Sequence, residues 1–506
     1  MREDPGPRSP RNNLPLLIVI AAGLFVYGLF FNRGIWLSVV GYSVSPAERV
    51  LDGQVPYRDF LFNYTPGILW LNAGVMRVFG TALLPIQGGL LVFKMAALVA
   101  LYLLGKRLMG AWAAVVPVGL TLCWLGHRFI FNVHPTQYSM LFVVAAIITA
   151  LEFDDTGDSR WLIVSGLLVG LVFVFKYNVG LVLLATGSGA IIVREVLAGF
   201  VGTRSGPGKT LARVLAYCLG FAAIAFAMCG YLALKGGLGA MVHHFLHHAA
   251  DYSEERAVGL PPWRLVLPAA TGLLTAAIGL QIIRTQWPRL LIPALSAFAA
   301  VGGTLVLIPG RAAILKDATT AAVAYFPAFT FIAAVCWILF SVRSQRRSRS
   351  QHETLARERR LVIVTFFALG AYLEVYPRAD YYHLVRVLPP VFVCFTFLVS
   401  CIFSWRGLLA QGSGNGTRTD AGSPRYVMAC LAALALLMLA FTGIKDTWLP
   451  QFDGGFRLSD RSAVSLARTR GILTSEYQAG MTTVYFFDVM KSIHVAHGIA
   501  CVCKQR

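Results

Sequence analysis

Long apolar stretches separated by short polar segments dominate the chain from residue 14 to residue 444. Most of them approach the roughly 20 residues that a helix needs to cross the hydrocarbon core of a membrane. Only helices and closed barrels satisfy their backbone groups in that environment. The pattern predicts an all-α polytopic membrane protein with about 13 transmembrane helices, near residues 14–32, 86–104, 111–126, 136–152, 161–175, 179–194, 212–234, 265–283, 289–308, 319–341, 361–376, 388–404 and 426–444.

The same pattern divides the chain into three parts. Residues 1–13 are predicted to form a cytoplasmic tail, residues 14–444 the membrane domain, and residues 445–506 a small external segment. The first external loop, 33–85, is the predicted catalytic loop and contains a shorter apolar stretch at 66–79. That stretch predicts a re-entrant or interfacial helix, or a short additional span.

Composition and charge agree with this class of protein. Of the 506 residues, 57% are hydrophobic and 13% are charged, and the mean hydropathy is +0.66, whereas soluble domains carry about 25% charged residues. The net charge of +20 does not indicate nucleic-acid binding, because the basic residues recur in every second loop. Such alternation marks the cytoplasmic loops. It places loops 33–85, 235–263 and 376–386 on the outer face.

The first external loop carries three carboxylates, Glu48, Asp52 and Asp59. Glu48 and Asp52 stand four residues apart, so they share one face of a short helix. Asp59 follows Arg58 in the run P-Y-R-D-F at 56–60. A carboxylate at the membrane surface is suited to removing a proton from a substrate hydroxyl. The alternative is a set of solvated loop charges that pair with arginines.

A second polar group lies on the outer face in the segment 376–390. Arginines beside interfacial aromatic residues suit a lipid phosphate, and the alternative is an aromatic belt with charged ends; the residues are Arg378, Asp380, Tyr381, Tyr382, His383 and Arg386. Lys176 closes a span at this face, where it either extends its amine to the surface or reaches a phosphate. Glu374 lies just inside a span and is a functional candidate for that reason, with Arg378 as one possible partner.

Histidines cluster in the run H-H-F-L-H-H at 243–248. Histidines four residues apart share a helix face, and this spacing suits a divalent metal. A polar interfacial helix is the favoured interpretation, so neither a metal nor any other cofactor is predicted.

The first loop resembles that of the C-type (GT-C) glycosyltransferases, integral membrane enzymes that use polyprenyl-phosphate sugars. The resemblance rests on the order E-x3-D-G-x2-P-Y-R-D-F over 48–60, then N-Y-T-P-G over 63–67 before a new apolar helix. It extends to 376–390, where an acid, a histidine and prolines follow one another. Within the class, the chain is similar to protein mannosyltransferases, lipid-A aminoarabinose transferases and bacterial lipopolysaccharide-core glycosyltransferases.

The resemblance implies an inverting transferase that moves a sugar from a polyprenyl-phosphate donor to a lipid-linked, glycan or protein acceptor. The reaction would take place at the external face of the inner (plasma) membrane. The implied catalytic residues are Asp59 and Glu48. The implied ligands of the donor phosphate are Arg378, His383, Arg386 and Lys176, and the implied substrate-binding residues are Tyr57, Arg58, Tyr64 and Tyr382.

The chain departs from the family pattern in the positions of its acids. Relatives usually carry an acid near positions 39–42 and a lysine where Asn63 and Tyr64 stand, and both are missing here. The second external loop, 127–137, has no acid either, since Asp154 and Asp155 belong to the next, cytoplasmic loop. Two alternatives therefore stay open: a transporter or flippase for a lipid or solute, which Lys94 would suit, and a catalytically inactive relative.

Overall fold

Helices make up nearly all of the structure, a computed structural model that describes residues 13–32, 43–124, 133–199, 206–256, 312–345, 351–376, 381–412, 462–463 and 473–474. In chain order the helices are α1 (Leu14–Phe30), α2 (Ser45–Leu51), α3 (Gly67–Phe79), α4 (Leu83–Met109), α5 (Val115–Trp124), α6 (Pro135–Thr156), α7 (Arg160–Phe175), α8 (Tyr177–Gly199), α9 (Pro207–Leu234), α10 (Leu238–Arg256), α11 (Ala312–Gln345), α12 (Gln351–Tyr372) and α13 (Tyr381–Gly412). A 3₁₀ turn, Leu373–Val375, follows α12.

A pair of short strands lies in the predicted external segment 445–506. Strands β1 (Ser462–Ala463) and β2 (Leu473–Thr474) pair antiparallel, with Ser462 opposite Thr474 and Ala463 opposite Leu473. The described structure is therefore mostly helical, as the apolar pattern predicts, with this one small exception.

Six of the described helices are long and apolar enough to cross a membrane, over the ranges Leu83–Met109, Pro135–Thr156, Tyr177–Gly199, Pro207–Leu234, Ala324–Arg343 and His383–Ile402. Shorter apolar helices are α1, α3, α5 and α7. The chain is thus a multi-pass membrane protein. The predicted spans near 265–283, 289–308 and 426–444 lie outside the described residues, so the total of about 13 stays a prediction.

The ends of α6 show how the sequence sets the bounds of a helix. Pro135 occupies the first turn, where its missing N–H costs no hydrogen bond, and the side chain of His134 accepts from the Thr136 N–H. At the other end Gly157 has a φ of 73°, the left-handed conformation that closes many helices. The 22 residues of α6 span about 33 Å, so α6 connects the two ends of the bundle.

Glycines bring α7 and α9 into close contact. A Cβ at Gly166 would lie 2.0 Å from the backbone oxygen of Tyr217, and one at Gly220 would lie 2.1 Å from that of Ile163. Membrane helices gain little hydrophobic free energy by associating, so close backbone approach through small residues is a main source of their attraction. This contact holds α7 in place, and Lys176 follows directly at its C-terminal end.

Ion pairs join five helices at the end of the bundle where α6 terminates. Asp154 accepts from Arg194 at 2.7 Å and from Arg359 at 3.0 Å. Asp154 and Asp155 lie in the last turns of α6, so α6 extends into the predicted cytoplasmic loop and their assignment to that loop is wrong. The network also contains the pairs Arg107–Glu152, Arg107–Asp155, Arg194–Glu195, Arg213–Glu195 and Arg360–Asp155.

Candidate functional site

The first loop is held in a defined shape by its own hydrogen bonds. Tyr57 has a φ of 68°, a conformation that few non-glycine residues adopt, and its N–H donates to the Phe60 carbonyl at 2.7 Å. Its side chain is buried, and its hydroxyl donates to the carbonyl of Tyr64. Such backbone strain persists only where the surrounding structure imposes it, and it clusters at functional sites.

Asp59 uses both of its carboxylate oxygens within this loop. Its Oδ1 accepts from Arg58 Nε at 2.9 Å, and its Oδ2 accepts from Arg58 Nη2 at 2.8 Å and from the Val55 N–H at 2.7 Å. The hydrogen bonds from Arg58, and after them the one from Val55, lower the pKa of Asp59 to about 2. The carboxylate is therefore ionised at neutral pH, but a group with so low a pKa is a weak proton acceptor.

Helix α10 covers the first loop. A Cβ at Gly237 would lie 2.7 Å from the Pro56 carbonyl oxygen, so loop and helix approach each other closely. The ring of Phe245 stacks on Tyr177 with centroids 4.2 Å apart and meets the edge of Tyr57 at 5.7 Å. These contacts tie the loop to the N-terminal end of α8.

The first loop is also joined to the end of α7. The Thr65 hydroxyl donates to the Phe173 carbonyl at 2.7 Å. A Cβ at Gly67 would lie 2.6 Å from the backbone oxygen of Val174, so only a glycine lets α3 start this close to α7. The loop is thereby anchored two residues from Lys176.

A buried ion pair forms the centre of the site. Lys176 Nζ lies 2.6 Å from Glu374 Oε1, with side chains 7% and 3% exposed. The Thr136 hydroxyl donates to the same carboxylate oxygen, and Lys176 Nζ lies 3.4 Å from that hydroxyl. The expectation that Lys176 extends its amine to the membrane surface is therefore wrong, and among the described residues Glu374 takes Lys176 as its partner.

His134 links this ion pair to the first loop. It is 3% exposed, and its Nε2 lies 3.2 Å from the Tyr64 hydroxyl. Burial above all, and then the charges of Arg386, Lys176 and His383, lower the pKa of His134 well below its usual range, so the ring is neutral. Its Nδ1 accepts from a backbone N–H two residues further on; the proton is therefore on Nε2, which donates to Tyr64.

Helix α13 brings further basic groups to the same end of the bundle. Arg386 and His383 are half-buried in its first turns, and the charges of both act on His134. Lys94, which is 6% exposed in α4, places its Nζ 5.3 Å from the centre of the Tyr27 ring. Polar groups from α4, the start of α6, the α7–α8 junction and α13 thus converge beneath the first loop.

The predicted site residues fall into two groups. The structure brings Lys176, His383 and Arg386 together around His134. The loop residues lie above them, with Arg58 and Asp59 on the exposed side and Glu48 half-buried in α2. Arg378 lies outside the described residues, and so does the side chain of Tyr382.

The histidine run at 243–248 lies on α10. The rings of His243 and His247 are 4.0 Å apart, and His247 Nδ1 lies 2.9 Å from the His243 carbonyl oxygen. Within the described part of the chain, no three His, Cys, Asp or Glu side chains are grouped so that they could hold a metal ion.

His134 and Thr136 belong to the site but are not among the residues that the sequence predicts for it. Both stand at the start of a span in the order H-P-T at 134–136. A polar residue directly before a proline at the start of a helix is typical of a cap. That position on the outer face is the signal that would have placed both residues near Lys176.

Residues 63–201 match the family model described as dolichyl-phosphate-mannose-protein mannosyltransferase. The matched segment is about a quarter of the chain; it contains Tyr64, His134 and Lys176, and it ends before Glu374. No curated protein sequence matches the chain significantly.

Two solved structures resemble the chain at low identity. The Archaeoglobus fulgidus oligosaccharyltransferase in complex with Zn and sulfate is 12% identical over 83% of this chain and 53% of that chain, with a TM-score of 0.44. ArnT from Cupriavidus metallidurans bound to undecaprenyl phosphate is 14% identical over 82% of this chain and 85% of that chain, with a TM-score of 0.37. This chain therefore spans about half the length of the oligosaccharyltransferase. At these TM-scores the likeness supports no inference about the site.

The family match and the motifs of the first loop point to the same class of protein. The match begins within that loop and continues through α8, which includes three of the elements that build the buried cluster. It supports a glycosyltransferase as the enzyme class. From the first loop through α8, the chain resembles the GT-C membrane glycosyltransferases.

Proposed function

We propose that the protein transfers a sugar from a polyprenyl-phosphate donor to a hydroxyl acceptor at the outer face of the membrane. The observation that carries this proposal is the positive charge beneath the first loop. Lys176 is paired with Glu374, whereas Arg386 has no carboxylate partner among the described residues. A half-buried guanidinium without a counter-ion is costly, and a phosphate would supply the missing negative charge.

The donor fits this site from its phosphate to its tail. Lys176, Arg386 and His383 would hold the phosphate, as the sequence predicts, because charge-assisted hydrogen bonds are the strongest available here. An open apolar groove of about 440 Å³, lined by Trp70, Val174, Ile224, Ala227, Met228 and Tyr231, lies at the same end of α7 and suits an isoprenoid chain. The description of the matching family names a dolichyl-phosphate-linked mannose.

The chemistry follows from the charges of the site. An acceptor hydroxyl attacks the anomeric carbon as the bond to the phosphate oxygen breaks, and inversion at that carbon is expected. Lys176 and Arg386 stabilise the charge that develops on the departing phosphate, which is the type of contribution that lowers such barriers most. Asp59 and Glu48 stay the predicted bases. The geometry of Asp59 supports a second role, in which it fixes the shape of the loop.

The test is sugar release from labelled polyprenyl-phosphate donors by the purified protein in liposomes. Lys176→Met removes the buried cation, and we expect turnover to fall by about 10²-fold. Lys209→Met is the matched control, because Lys209 is exposed at the other end of the bundle and its loss should leave turnover unchanged. Asp59→Asn in the same assay tests the predicted base.

Two results would count against the proposal. Equal turnover in Lys176→Met and wild type would remove the phosphate site from the buried cluster. If the wild-type protein released none of several sugars, this would contradict sugar transfer itself. A transporter or an inactive relative would then be favoured.

A further inference from the structure

Glu374 has one carboxylate oxygen in use and one open. Both of its protein contacts, from Lys176 at 2.6 Å and from the Thr136 hydroxyl, fall on Oε1. Within the described part of the chain, Oε2 accepts no hydrogen bond from the protein. An oxygen without a protein donor on a side chain that is 3% exposed is available to a group of the substrate.

The loop carboxylates offer no equivalent atom at this depth. Both oxygens of Asp59 are engaged by Arg58 and Val55, and the Asp59 side chain is 28% exposed. Glu48 is half-buried in α2. Among the described residues, Glu374 is the buried carboxylate nearest to the predicted phosphate ligands, because it contacts one of them directly.

We propose that Glu374 is the base that receives the proton of the acceptor hydroxyl, at Oε2; this rests on the function proposed above. In the step, the hydroxyl proton moves to Oε2 while the acceptor oxygen forms its bond to the anomeric carbon. The bond between that carbon and the phosphate oxygen breaks, and its electron pair leaves with the lipid phosphate. Lys176 contacts the base, which loses its negative charge, and would face the phosphate, which gains negative charge. Both changes therefore occur beside the same ammonium group.

Groups from two elements hold Glu374 in place. Lys176 donates to it from the α7–α8 junction and Thr136 donates from α6. Neutral His134 lies two residues before Thr136, and the charges of Arg386 and His383 on α13 act on His134. Glu374 therefore lies at the end of the bundle where the predicted phosphate ligands meet, with one oxygen held by Lys176 and Thr136 and the other without a protein donor among the described residues.

The experiment compares Glu374→Gln, Glu374→Asp and Glu358→Gln in the liposome assay, with hydroxyl acceptors and then with azide. Glu358 is 1% exposed on α12, so it is a matched buried control whose variant should keep wild-type rates. Glu374→Gln should lower kcat by about 10²–10⁴-fold with little change in the donor KM. Glu374→Asp should be intermediate.

Azide separates a base from a structural partner of Lys176. Azide carries no proton, so its attack on the anomeric carbon needs no base, and Glu374→Gln should form the glycosyl azide at nearly the wild-type rate. Three results would overturn the inference: equally low rates with azide, a raised KM with an unchanged kcat, or loss of turnover in Asp59→Asn but not in Glu374→Gln. In each of these cases the wild type still transfers sugar and the proposed function stands. An inactive wild type would overturn both.

Discussion

Replacing Asp154 by Asn tests whether the ion-pair network at the end of α6 stabilises the bundle. The Asp154 side chain is 1% exposed and accepts from Arg194 at 2.7 Å and from Arg359 at 3.0 Å. Asn keeps an oxygen that can face both guanidinium groups, and its NH₂ would replace Oδ2, which has no hydrogen-bond partner already. The change therefore removes charge from two hydrogen bonds with little change in volume.

The expected loss of folding free energy follows from those two contacts. A hydrogen bond to a charged group contributes about 1.5–3 kcal/mol and a neutral one about 0.5–1.5 kcal/mol, so each contact loses about 1–1.5 kcal/mol. The sum, about 2–3 kcal/mol, lies below the 3–5 kcal/mol or so that complete removal of one partner of a buried pair costs. For a chain of this size, we expect the apparent Tm in detergent to fall by about 3–6 °C.

The control is Asp158→Asn, two residues beyond the end of α6. Asp158 is exposed, and its Oδ1 accepts from the Arg160 N–H at 2.9 Å at the start of α7. Asn keeps a side-chain oxygen that can accept this hydrogen bond, so the Tm of the variant should stay close to that of the wild type. Equal Tm values for the two variants would show that the network adds nothing beyond surface charge. If the network does stabilise the bundle, the double variant Asp154→Asn, Arg359→Met should lose less stability than the sum of the two single losses, because the two residues share a contact.

Two further predictions concern the first loop. The pKa of Asp59, lowered to about 2 by Arg58, lies below its unfolded value of about 4; its stabilising contribution is therefore complete above about pH 4 and is lost as the pH falls toward 2. The Tm difference between wild type and Asp59→Asn should be present at neutral pH and should vanish near pH 2. Gly67→Ala places a Cβ 2.6 Å from the Val174 carbonyl oxygen and should destabilise the fold by about 1–3 kcal/mol. Gly74→Ala in the same helix meets no atom within 4 Å and should be neutral or stabilising by up to about 1 kcal/mol, as measured by thermal unfolding.

The spans could be predicted from the sequence because hydrophobic length is a local property. The helices at 14–30 and 160–175 begin and end close to the predicted bounds, whereas those at 83–109 and 207–234 each extend beyond theirs. α6 also extends beyond its predicted end, and there Asp154 and Asp155 are paired with arginines from distant helices. A carboxylate in isolation indicates a loop, and nothing local reveals partners up to 205 residues away.

The same limit applies to the site. The sequence places Lys176 at the end of one span and Glu374 just inside another, but their pairing joins positions 198 residues apart. Asp59 was predicted as the base because its motif is local, and local sequence also supplied the arginine that occupies both of its oxygens. Motifs in a loop therefore identify the face of the membrane that holds the site, whereas the identity of the reacting group depends on contacts between helices.

The two charged ends of the bundle differ in whether each arginine has a carboxylate partner. At the far end, every arginine in the described network faces a carboxylate from another residue. At the end beneath the first loop, Arg386 has no carboxylate partner among the described residues. A network that only stabilises the fold gains from pairing each cation, since an unpaired buried charge is costly. An arginine left without a carboxylate beside the Lys176–Glu374 pair suits a ligand that brings its own anion, and a sugar phosphate brings one.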